Sequence, residues 1–65
     1  MTLPQAVELS VKRREFFQMD VHVLCGPNDQ YFTVLAINLD VYLRGNYLKD
    51  KKIYYTAFFR KVCNV

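Results

Sequence analysis

The sequence predicts an α+β fold: a single small domain, residues 1–65, with an N-terminal helix packed on a three-stranded antiparallel β-sheet in the order helix, hairpin, strand. Three observations carry this. Two apolar runs between Phe17 and Leu43 flank the turn-forming residues Gly26-Pro27-Asn28-Asp29, helix-capping residues open the chain, and a third alternating run occupies Ile53 to Cys63.

A helix is expected from Met1 to about Arg14. Thr2-Leu3-Pro4-Gln5 has the form of a capping box, in which Thr2 caps, Pro4 sits in the first turn where its missing N–H is harmless, and Gln5 reaches back. Gln5, Glu8, Lys12 and Glu15 share one face, while Leu3, Ala6, Val7, Leu9 and Val11 cover much of the rest. Glu8 and Lys12 stand in the favourable i,i+4 order, and Lys12-Arg13-Arg14 suits the negative end of the helix dipole. Arg13 and Arg14 nevertheless fall toward the apolar arc. Either the helix stops there or the arginines lie over an edge that meets something; solvated, dipole-compensating heads are the plainer alternative.

The hairpin follows from period-two patterning. Phe17, Met19, Val21, Val23 and Cys25 alternate with Gln18, Asp20, His22 and Leu24, and Tyr31 to Val41 continues with its odd positions the more uniformly apolar. Pairing Gly26 with Gln30 sets Val23 opposite Thr33, Val21 opposite Leu35 and Met19 opposite Ile37, with the odd-numbered face inward. The last loop residue of such a hairpin adopts the left-handed region, which Asp29 tolerates. A helix competes for the second run, because Phe32, Leu35, Ala36, Leu39, Tyr42 and Leu43 also form a stripe and Gly45 stands where a helix ends. The β-branched and aromatic content of Tyr31 to Ile37 favours the strand. Arg44-Gly45-Asn46 is a turn signal, Lys49-Asp50-Lys51-Lys52 a charged connection, and Ile53 to Cys63 the third strand.

A chain of 65 residues buries only about 60% of the surface that its unfolded form exposes. Yet 52% of its residues are hydrophobic, with five Tyr and five Phe, so some aromatics are expected on the surface or in an interface. The net charge of +3 is a mild bias, weaker than the basic stripe of a dedicated nucleic-acid binder. No apolar run approaches the ~18 residues of a membrane span, and no signal-peptide pattern opens the chain. The expected location is cytoplasmic, the host cytoplasm if the protein is viral. Cys25 and Cys63 are read as reduced, buried thiols, although inward-facing positions on neighbouring strands would also suit a disulfide.

Nothing in the sequence points to catalysis. Asp20 and His22 share the outer face of one strand without a nucleophile beside them, Cys25 lacks a second base, and no phosphate-binding, zinc or nucleophile-elbow motif is present. One Cys/Cys/His set falls short of a four-ligand zinc site, so neither metal nor cofactor is expected. The remaining constellation mixes aromatic and basic residues, and the expected contact surface is Tyr54, Phe58 and Arg60 on the outer sheet face with Lys49, Lys51 and Lys52 on the adjoining loop. The reading is a non-catalytic protein-binding module that occupies a surface of a larger host complex, nucleic-acid-processing machinery included, as small phage or mobile-element inhibitors do. Two alternatives use the same features: a small basic nucleic-acid-binding protein stacking bases on that face, and an obligate homodimer whose surplus aromatics close on each other.

Overall fold

The computed structural model describes residues 1–60. Helix α1 spans Leu3–Phe17, strand β1 Val21–Cys25 and strand β2 Tyr31–Leu35; a 3-10 turn at Ala36–Asn38 leads into the short helix α2, Leu39–Arg44, and strand β3 is Tyr55–Ala57. The strands form one antiparallel sheet in the order β2-β1-β3.

The helix starts where its capping residues say it should. Thr2 Oγ1 accepts from the Gln5 amide at 3.4 Å while Gln5 Oε1 accepts from the Thr2 amide at 3.0 Å, a reciprocal capping box with Pro4 in the first turn. It ends later than expected. Glu15, Phe16 and Phe17 remain helical, and Gln18 closes the helix in the left-handed conformation (φ 54°), its N–H donating to the Arg14 carbonyl. The extended reading of Phe17 to Met19 is therefore corrected.

The hairpin has the expected register: Val21 pairs with Leu35, Val23 with Thr33 and Cys25 with Tyr31. Its loop places Asp29 at φ 60°, the left-handed residue that a three-residue connection requires. Beyond Leu35 the two patterns in the second run divide it between them. The strand ends at Leu35, since β1 begins only at Val21 and leaves Ile37 without a partner, and the helical stripe takes over at Leu39, Tyr42 and Leu43. The third strand is shorter than Ile53 to Cys63, with Tyr55 to Ala57 in the sheet; Cys63 lies outside the described residues.

Two layers cover the sheet. Thr33, in register with Val23, accepts a hydrogen bond from the Arg13 guanidinium at 2.9 Å, which sets α1 over the face of Val21, Val23 and Cys25. Its closest approach uses small residues, for Ala6 and Ser10 are fully buried and Ser10 Oγ donates back to the Val7 carbonyl. The opposite face is not open. Leu24 and Val34 are buried there, and Phe32, on the same face, packs on Tyr42 of α2, which packs in turn on Tyr47. The expectation of a solvated even-numbered face is corrected: Leu24, Phe32 and Val34 are themselves apolar, Leu24 and Val34 are buried, and Phe32 takes up Tyr42. Central strand β1 is thus buried on both sides. Segment 46–54 returns along its other edge, with the Lys49 and Tyr54 amides donating to the carbonyls of Cys25 and Val23, both at 2.9 Å.

Candidate functional site

The surface separates into two clusters at opposite ends of the sheet. At the hairpin-loop end lie most of the residues singled out in the sequence. Lys49 Nζ pairs with the Asp29 carboxylate, a contact that raises the lysine pKa. Asp50 accepts from the Tyr54 hydroxyl at 2.8 Å and from the Lys52 amide at 3.3 Å. Lys52 Nζ lies 5.0 Å from the centre of the Tyr54 ring, and Tyr31 meets that ring edge to face at 5.3 Å. The Tyr54 phenol is pushed up to about 12, first by its bond to Asp50 and then by desolvation. Lys51 is exposed. Lys49, Lys52 and Tyr54 are therefore brought together, but Asp29 and Asp50 stand among them and the tyrosine hydroxyl is already engaged.

Phe58 and Arg60 lie elsewhere. β3 ends at Ala57, so Tyr54 precedes the strand and these two follow it; four residues of extended chain separate Tyr54 from Phe58 by about 13 Å. The arrangement of Tyr54, Phe58 and Arg60 on one sheet face is corrected, because the strand is too short to carry all three.

The second cluster occupies the end where α1 and β3 finish and β1 begins. Asp20 fastens it, its backbone carbonyl accepting from the Ala36 amide at 3.0 Å and its Oδ1 from the Phe59 amide at 2.7 Å. Two segments are thereby tied to one residue, and large apolar side chains project around them. Phe16 is 80% exposed, Ile37 72% and Phe58 64%. The Phe16 and Phe17 rings meet edge to face at 4.9 Å, and with Lys12 and Arg13 they line an open depression of about 490 Å³. Sequence reasoning passed over Phe16 and Phe17 by assigning them to the approach of the first strand. The available signal was two consecutive phenylalanines one residue beyond a basic run whose arginines did not fit the helix wheel.

The groups weighed for catalysis are engaged separately. The Asp20 carboxylate holds Phe59, while His22 Nδ1 lies 2.8 Å from Thr56 Oγ1 on the adjacent strand. Cys25 is a buried free thiol, 3.5 Å from the Gly26 carbonyl. No group of three or more potential metal ligands occurs among the described residues, and no helix there is long and apolar enough to cross a membrane. Partial burial lowers the His22 pKa from 6.5, against a smaller raising effect of Asp20. Well above 6.5 the imidazole is neutral in both folded and unfolded chains; as pH falls through that value, the unfolded chain takes up the proton first and the fold loses stability. Thermal melts between about pH 7.5 and 5.5 are expected to show a falling midpoint that His22→Gln flattens. An equal slope in the variant would assign the loss to other groups.

No family model, curated protein or solved structure matches the chain.

Proposed function

We propose that this chain is a non-catalytic protein-binding module that acts by occupying a surface of a larger host complex, as small inhibitors of phage or mobile-element type do. The observation that carries the reading is the exposure of Phe16, which lines the open depression with Lys12, Arg13 and Phe17, and of Phe58, next to the Phe59 that Asp20 holds. Aromatic rings and arginine bury much area with few torsions to freeze, and they are the residues on which protein interfaces concentrate binding energy. Leaving two phenylalanines largely in water is unfavourable by up to roughly 1.5–3 kcal/mol each relative to full burial, a gross gain from which a partner that covers them must still meet the costs of association. The loop lysines fit phosphate less well than the sequence implied, since Lys49 is paired with Asp29 and Lys52 lies on Tyr54 next to Asp50.

The test is affinity capture from host lysate with the wild-type chain beside a Phe16→Ala/Phe58→Ala variant, with and without nuclease. The expected result is a stoichiometric protein partner that survives nuclease and is lost with the variant. Recovery of nucleic acid alone, released steeply by salt, would replace this reading with nucleic-acid binding. A concentration-dependent mass with nothing captured would replace it with the homodimer.

A further inference from the structure

We infer that the free edge of β2 is a docking site for an extended, acidic segment of the protein partner, which joins the sheet as a fourth strand. This rests on the protein-binding reading and specifies its partner.

The polarity of the edge follows from the two hydrogen bonds that bracket the hairpin. The Gly26 amide donates to the Gln30 carbonyl at 2.9 Å, and the Ala36 amide donates to the Asp20 carbonyl at 3.0 Å. Antiparallel ladders alternate between hydrogen-bonded and non-bonded pairs, so the even-numbered residues of β2 face β1, and Tyr31, Thr33 and Leu35 turn their N–H and C=O groups outward. The outward direction is visible at Tyr31, whose amide donates to the Met1 carbonyl at 3.0 Å. Among the described residues the amides of Thr33 and Leu35 have no acceptor. Such a row of open backbone groups is a template for strand addition.

Arg13 selects what binds there. Its guanidinium reaches over the edge to the Thr33 hydroxyl and has no carboxylate partner among the described residues. A second copy paired symmetrically about Thr33 would bring two Arg13 side chains together, which disfavours self-association. A partner strand instead places one side chain opposite Thr33 on the α1 side, where a Glu or Asp meets Arg13 in a charge-assisted contact. Of its neighbours two residues away, the one on the Leu35 side lies toward the end of α1, where Lys12, Arg13, Phe16 and Phe17 line the depression, while on the other side the Tyr31 N–H is already held by Met1. The occupant is accordingly an extended segment with a carboxylate and, two positions away toward Leu35, an apolar residue.

Leu35 offers a substitution confined to the edge. Its φ of −68° matches proline, and its N–H takes no part in the β1 ladder, so Leu35→Pro removes one outward donor, while Leu35→Ala loses the same side chain and keeps the donor. The probe is a phage-displayed library of random linear peptides panned on the immobilised full chain, with selected peptides then synthesised and titrated. Expected are peptides enriched in an acidic residue with an apolar residue two positions away. Their binding should be about tenfold weaker to Leu35→Pro than to Leu35→Ala, and panning on Arg13→Glu should select Lys or Arg at the central position. Equal binding to the two Leu35 variants, or failure to select any peptide, overturns strand addition. A doubling of mass abolished by Leu35→Pro also overturns it, by giving the edge to a second copy. If the edge fails while lysate capture through Phe16 and Phe58 succeeds, the protein-binding reading stands without this segment; if capture fails as well, both fall.

Discussion

Truncating Leu24 to alanine is expected to leave most of the chain unfolded at room temperature. Leu24 is fully buried on the central strand, opposite Phe32, which packs on Tyr42 of α2. A Leu→Ala change at such a site costs about 2–5 kcal/mol in lost transfer energy and residual cavity. A domain of this size holds only about 3–5 kcal/mol from its core, so the loss is comparable with the whole stability. Ile37→Ala, at a side chain that is 72% exposed, is the matched control and should change little. Urea titrations followed by circular dichroism decide it. A Leu24→Ala midpoint close to wild type would mean that the second layer contributes little to the core.

Asp20→Ala should produce the next largest loss, about 1.5–3 kcal/mol, the range for a hydrogen bond to a charged group. The carboxylate is a single acceptor for the Phe59 amide, and its removal releases the segment that follows β3 while the backbone bond from Ala36 remains. Hydrogen exchange separates the two contributions. The Phe59 amide should lose protection in Asp20→Ala and recover part of it in Asp20→Asn, which keeps an acceptor without the charge, whereas the Ala36 amide should change less. Equal loss at both amides would show that Asp20 acts through the turn conformation rather than through its side chain.

Much of this architecture was legible in the residues, and the exceptions share a physical origin. The hairpin register could be read because Val21, Val23, Cys25, Thr33 and Leu35 are constrained both by burial and by the loop that joins them. The end of β2 could not, since alternation continues through Ile37 and stops in the fold only because its opposite position is taken up by the turn after α1. That turn exists because Glu15 to Phe17 favour continuing an established helix over starting a strand, a competition that local propensity does not resolve. The second layer was legible in principle: Leu24, Phe32 and Val34 are apolar on the face first assigned to solvent. Of the residues expected at the contact surface, Lys49, Lys52 and Tyr54 lie together at the hairpin-loop end, among Asp29 and Asp50. Phe58 and Arg60 do not, because strand length is set by pairing with β1 rather than by their own pattern.

The contact between His22 and Thr56 joins residues 34 positions apart, whereas Cys25 and Tyr31 meet across a short loop. Closing a long loop before its contacts form costs entropy that a tight hairpin avoids. The kinetic consequence is an order of assembly in which α1, β1 and β2 condense as the nucleus and β3 is added afterwards, held by a three-residue ladder. Substitutions at Thr56 and Ala57 should therefore accelerate unfolding and leave the folding rate nearly unchanged.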